Sequence, residues 1–142
     1  MMALAMSAGL AIPGAAFAQA WPSKPIRIVV NFPPVGAADQ IARSLTQPLQ
    51  EALGQPVVVQ NKSGAGGNIG GEAVAKAAPD GYTLLMSSGG MVSLNPHIYP
   101  KMPFDPKKDL VPVASAARVL VFLVTRPSFP AKDAKVLAPT GN

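Results

Sequence analysis

The sequence predicts an α/β fold: an open, mainly parallel sheet with helices on both faces. Three observations carry this. Apolar, β-branched runs alternate with helical patterns from Lys24 to Ser87, the connections between them are short, and both early loops follow a strand and open a helix. Strand–helix–strand–helix–strand with short connections implies parallel strands joined by right-handed crossovers. In such sheets ligands bind beyond the carboxyl ends of the strands, which is where both loops fall.

Ile26–Asn31 is almost continuously apolar and β-branched, as in a strand buried on both faces, and Pro33-Pro34 stop it. A helix is expected from about Ala37–Asp39 to Leu53, with Ile41, Leu45, Leu49 and Leu53 as one apolar stripe and Gly54 just past its end. Pro48 inside it removes one backbone bond and predicts a kink. Val57–Gln60 is the second strand and Asn61–Gly67 a loop. Asn68 to about Ala78 is a second helix, ended by the turn tripeptide Pro79-Asp80-Gly81. Tyr82–Met86 is the third strand and leads into Ser87-Ser88-Gly89-Gly90. Beyond it, Asn95–Pro112 holds five prolines and reads as an extended connector. Val119–Val124 is a strand candidate, and Arg126–Asn142 starts a loop and part of a helix.

The bulk numbers narrow the function classes. A chain of 142 residues suits one domain with a modest core. With 49% hydrophobic and 13% charged residues, it is not a disordered chain. The net charge is +5, yet apart from Lys107-Lys108 the basic residues are scattered singly, which argues against nucleic acid and suits an anion receptor. The absence of cysteine excludes disulfides, thiolate zinc sites and cysteine nucleophiles. Residues 2–17 are apolar and small, and Ala16-Phe17-Ala18 fits signal-peptidase cleavage before Gln19, although residues 1–23 contain no Lys or Arg. Residues 1–18 are therefore read as a signal peptide, too short for a comfortable membrane span.

The two loops carry the functional expectation. Helix N-termini hold unpaired N–H groups and a partial positive charge, so two side by side make a seat for an anion. In Gly64-Ala-Gly-Gly-Asn-Ile-Gly-Gly71 the sixth position is Ile69, which breaks a dinucleotide fingerprint, and no Gly-Lys-Ser/Thr marks a phosphate loop. Small residues here let backbone N–H groups approach a ligand closely. Asp39, the lone acid at the first helix start, reads as an acceptor of backbone N–H bonds. His97 is the single histidine, without metal-ligating partners. Ser87 and Ser88 sit outside any Gly-x-Ser-x-Gly and suit hydrogen bonding to a carboxylate. No catalytic residue, metal or cofactor is expected, and no bond is made or broken.

Trp21-Pro-Ser-Lys-Pro-Ile-Arg-Ile-Val-Val, Phe32-Pro-Pro, Leu53-Gly-Gln-Pro-Val-Val-Val, Gly64-Ala-Gly-Gly-Asn-Ile-Gly, Ala75-Lys-Ala-Ala-Pro-Asp-Gly-Tyr-Thr-Leu-Leu and Leu94-Asn-Pro form one recognisable set. From Trp21 to about Lys135 the chain resembles the N-terminal portion of Bug-type (TctC-like) substrate-binding receptors of tripartite tricarboxylate transporters. The resemblance implies a type II periplasmic-binding-protein-like lobe, a small organic carboxylate as ligand, and membrane transporter components as partners. It also implies a periplasmic location; if the chain folds, a monomer is expected, with no nucleic acid as partner. The ligand positions it implies are Phe32, Pro33, Pro34, Gly36, Ala37, Ala38 and Asp39 in the first loop and Gly64, Ala65, Gly66 and Gly67 in the second. Ser87 and Ser88 join them on the bottom-up reading. Two departures stand out: Val35 where the family has a glycine, and Ala38 where it often has a hydroxyl residue.

Family members are considerably longer, so the expectation is a fragment: residues 19–112 as an incomplete first lobe, and residues 113–142 as the start of a truncated second lobe. An open sheet edge and the apolar run Val119–Val124 predict poor solubility for such a piece. Two other readings stay open at this point. One is a fragment of an α/β enzyme that binds a phosphorylated substrate. The other is an inactive remnant with no ligand.

Overall fold

The computed structural model describes residues 20–120 together with 122, 124, 126 and 128. The expected signal peptide and most of the expected C-terminal loop and helix lie outside the described residues. Strands β1 (Ile26–Val30), β2 (Val57–Asn61) and β3 (Thr83–Met86) form a three-stranded sheet in the order β2-β1-β3. Both pairings are parallel, with Val30 opposite Asn61 on one side and Met86 on the other. The most apolar run takes the centre: Ile26, Ile28, Val29 and Val30 are buried, while Arg27 stays exposed and donates to Thr83 Oγ1 at 3.2 Å.

Helix α1 (Ala37–Leu53) links β1 to β2 and spans the range its pattern predicts. It covers the sheet face formed by Ile26, Ile28, Val30 and Val57. The contact line differs in part from the expected stripe. Ala38, Ala42, Leu49 and Leu53 pack on the core, whereas Ile41 and Leu45 are half-buried. Two alanines let the first half of the helix approach the sheet closely, which turns the bulkier neighbours aside. The helix runs on through Pro48, which sits exposed, and ends on Gly54 in the left-handed region (φ 67°) with its N–H donated to Gln50 O at 2.9 Å.

By strand alternation, Val29 and Asn31 point to the other face, where helix α2 (Asn68–Ala75) lies. This helix is shorter than its alanine content suggests, because Ala77 N–H bonds back to Val74 O and tightens the last turn. A single turn of 3₁₀ helix, Ala65–Gly67, precedes it.

Two expectations need correction. Asn95–Pro112 is not wholly an extended connector: it opens with helix α4 (Asn95–Ile98), which follows a short helix α3 (Gly89–Ser93) at the end of the serine–glycine loop. Pro96 falls in the first turn of α4, where the missing N–H has no intrahelical acceptor to lose. Farther on, Phe104 and Pro106 are buried, Phe104 against Gly71 of α2. The second correction concerns Val119–Val124. Val119, Leu120, Phe122 and Val124 are exposed and belong to no strand. An apolar run forms a strand only beside a partner that accepts its backbone bonds, and among the described residues no strand pairs with it.

Candidate functional site

The parallel pairing of β1 with β2 makes the two following loops leave the sheet side by side. Two asparagines at these exits stitch the loops together. Asn61 closes β2; its Nδ2 donates to Phe32 O at 3.2 Å and to Asp39 Oδ1 at 2.9 Å, and its Oδ1 accepts from Arg43 Nη2 at 3.1 Å. Asn31 follows β1; its Nδ2 donates to Gly67 O at 3.2 Å and to Ser87 Oγ at 2.8 Å. Asn31 is 1% exposed, and its Oδ1 has no partner among the described residues. A buried acceptor left unpaired costs about 1–3 kcal/mol. Neither asparagine stood out in the sequence. The available signal was an asparagine at the same place after two β-branched runs.

Asp39 is 3% exposed. Its Oδ2 accepts from Arg43 Nε at 3.0 Å and from the Val35 N–H at 2.9 Å, and its Oδ1 accepts from Asn61. The Arg43 guanidinium first, then the Val35 N–H and Asn61, hold its carboxyl well below the usual carboxylate range. Every partner is a group of the chain itself, so this carboxylate shapes the first loop and is no free base. The Asp39–Arg43 pair is an acid–base pair one helical turn apart, a spacing visible in the sequence.

The backbone donors are divided between the loops. Gly36, the N-cap of α1, has extended backbone, and the first helical bond runs from Gln40 N–H to Gly36 O at 3.0 Å. The N–H of Gly36, turned toward Pro33 O by the Pro34-Val35 turn, makes no hydrogen bond of good geometry, and those of Ala37, Ala38 and Asp39 meet no acceptor among the described residues. The same holds for Gly64, Ala65 and Gly66. Gly67 differs: at φ 94° its N–H turns back to Gly64 O at 2.9 Å, and Asn68 N–H likewise bonds to Ala65 O. Gly67 therefore has no N–H to offer. Helix α4 braces this turn from behind, with Asn95 Nδ2 donating to Gly66 O at 2.9 Å and to Asn68 Oδ1 at 2.7 Å. A Cβ on Gly66 would lie 2.7 Å from the Tyr99 hydroxyl.

The other sequence-predicted positions fall as follows. Phe32 is half-buried against the core, and Ala38 packs there too. Pro33, Pro34 and Ala37 are exposed. Ser87 is half-buried at the end of β3, and Ser88, exposed, is the N-cap of α3. His97 is exposed on α4, and among the described residues no group of three or more His, Cys, Asp or Glu is placed to hold a metal. Two surface depressions lie elsewhere. One of ≈ 400 Å³ is lined by Lys24, Arg27, Asp80 and Tyr82 at the opposite sheet edge, and one of ≈ 330 Å³ by His97, Tyr99 and Phe104 beside α4. Neither includes the loop donors, which stand on an exposed rim.

Val35 has φ 68° and is 78% exposed. A β-branched residue in the left-handed region costs roughly 1–2 kcal/mol. Glycine removes that strain but returns about 0.5–1 kcal/mol through its freer unfolded chain. Val35→Gly is expected to raise stability by about 0.5–1 kcal/mol, read as a higher urea midpoint at an unchanged slope.

A family profile described as "Tripartite tricarboxylate transporter family receptor" matches residues 41–138, more than half of the chain. The chain belongs to this family. Protein BugT of Bordetella pertussis is 48% identical over 122 residues, covering 85% of this chain and 37% of BugT. A Pseudomonas protein from the tcbD-tcbE intergenic region is 48% identical over 105 residues, 74% of this chain and 31% of its own length. The chain thus spans about a third of the curated relatives it matches. Among solved structures, a periplasmic transporter is 50% identical with a TM-score of 0.59, covering 61% of this chain and 29% of its own. MatC of Rhodopseudomonas palustris, solved with bound malate, is 37% identical with a TM-score of 0.59 over 63% of this chain and 30% of its own. The tripartite tricarboxylate receptors therefore share this α/β architecture.

Proposed function

We propose that the chain carries the amino-terminal ligand wall of an extracytoplasmic receptor that binds small organic carboxylates and delivers them to a tripartite tricarboxylate transporter. One observation carries the reading: two sets of unbonded N–H groups stand at one sheet edge, held together by Asn61. Such an edge binds an anion by dipole and hydrogen bond, with no group poised for proton transfer or nucleophilic attack. The wall comprises the N–H groups of Gly36, Ala37, Ala38 and Asp39, those of Gly64, Ala65 and Gly66, and the hydroxyls of Ser87 and Ser88. Phe32 and Pro34 border it, and Gly67 shapes the turn. Two relatives support the ligand class, since one was solved with malate and another, 38% identical, with adipate.

In this reading residues 1–18 direct export to the periplasm, residues 19–112 form much of the first lobe, and residues 113–142 lead into the second. The protein works as a monomer on small solutes, without nucleic acid, metal or cofactor, and catalyses nothing. Pocket ligands have most of their surface buried, so a single wall is expected to hold a dicarboxylate only weakly, near millimolar, about −4 kcal/mol. Calorimetric titration with malate, adipate and phosphorylated compounds tests this. Saturable heat with the dicarboxylates is expected; heat with phosphorylated compounds alone would overturn the receptor assignment in favour of an enzyme fragment.

A further inference from the structure

We infer that Asn31 is a positioning residue that fixes the Ser87 hydroxyl as a hydrogen-bond donor for the ligand carboxylate. This deepens the receptor reading and rests on it. The argument begins with direction. The Asn31 carboxamide nitrogen carries two protons; one meets Gly67 O at 3.2 Å and the other Ser87 Oγ at 2.8 Å. Gly67 O can only accept, so the end of the amide facing it must be the nitrogen. The same nitrogen then faces Ser87 and offers its hydroxyl no acceptor.

A serine hydroxyl has one proton and two lone pairs. With a lone pair taken by Asn31, the proton must go elsewhere. Its remaining acceptor among the described residues is Ser88 O at 3.4 Å, a long contact. Ser87 is half-buried, at the carboxyl end of β3, beside the two loops that hold the free N–H groups. Its proton is therefore available to an anion at that edge. The rim then presents donors from three strand exits, which favours an ionised carboxylate over an amide or an amine.

The carboxamide cannot swing away. Asn31 is 1% exposed, and the two residues against it are glycines. A Cβ on Gly67 would lie 2.4 Å from Asn31 Nδ2, and one on Gly70 would lie 2.6 Å from Asn31 Cβ. The close approach of α2 thus locks the amide that aims the serine.

A double-mutant cycle read by malate titration of the full chain tests the coupling. Ser87→Ala is expected to weaken malate about tenfold, as for a hydrogen bond to a charged group. In the Asn31→Ala background the same Ser87 change is expected to cost less than about twofold, because the hydroxyl is no longer aimed. Asn31→Asp, which gives Ser87 an acceptor at that end, is expected to weaken malate more than Asn31→Ala does. Strict additivity of the two alanine changes would overturn the inference, since a merely structural asparagine would weaken binding equally with or without the hydroxyl.

A ligand-free arm keeps this separate from the receptor reading. The Asn31 side-chain amide protons should exchange slowly in ¹⁵N NMR and shift when Ser87 becomes alanine. Exchange as fast as that of an exposed asparagine would refute the Asn31–Ser87 bond itself. Absence of malate binding by a chain with those slow protons would instead count against the receptor reading, and with it against a ligand role for Ser87.

Discussion

Gly70→Ala is expected to destabilise the chain by about 3 kcal/mol, toward the upper end of what overpacking a close contact costs. On helix propensity alone the change should help, since glycine inside a helix is about 1 kcal/mol worse than alanine. Steric contact decides the sign. A Cβ at Gly70 would lie 2.6 Å from Asn31 Cβ, 2.8 Å from Lys62 O and 3.0 Å from Asn31 Cα. Two of these atoms are backbone, belonging to segments pinned by the sheet, so neither can yield cheaply. Gly54→Ala is the matching control: its φ of 67° is unfavourable for alanine, but nothing lies within 4 Å, so it should cost only about 1–2 kcal/mol. A thermal melt checks both, and a loss at Gly70 no larger than at Gly54 would contradict the close packing of α2 on Asn31.

Asp39→Asn is expected to have the second-largest effect, because it removes the charge that pairs with Arg43 and leaves one accepting oxygen where two serve Arg43, the Val35 N–H and Asn61, turning an NH2 donor toward the unserved partner. Its signature is a changed dependence on pH. The folded carboxyl titrates well below the unfolded one, chiefly because of the Arg43 guanidinium. A group with a lowered folded pKa contributes stability that is fully present above the unfolded value, about 3.9, and is lost as pH falls toward the folded one. Urea unfolding between pH 7 and pH 2.5 should show the wild type losing stability on acidification and Asp39→Asn losing less, with the two curves converging at the acid end. Parallel curves would show that the carboxylate is not held by these partners. Removing the exposed Lys24–Asp80 ion pair should matter far less, as surface pairs do.

These two sites show what the sequence made legible. Strand β1 and helix α1 were readable because their periods are local: a continuous β-branched run and a recurrence every four residues. The loops were readable because proline and glycine mark chain reversals. The links between the loops were not, because each joins residues far apart in the chain. Asn31 meets Ser87, Asn61 meets Asp39, and Asn95 meets Gly66 only once the parallel register has placed the strand exits together. Gly67 shows the same limit at smaller scale. Its composition suggested an N–H for a ligand, but the conformation of the turn aims that N–H inward. Helix α4 was hidden because Pro96 reads as a breaker unless its place in the first turn is known. Val119–Val124 looked like a strand because apolar pattern reports burial potential and says nothing of a partner.

The central claim is that backbone donors from two adjacent loops seat one carboxylate. Titrating ¹⁵N-labelled chain with malate tests it most directly. The amide resonances of Gly36, Ala37 and Ala38 and those of Gly64, Ala65 and Gly66 should shift together along one binding curve, while Gly67, bonded to Gly64, moves little. Shifts confined to the opposite edge around Lys24 and Arg27, or only one of the two loops responding, would contradict the shared seat.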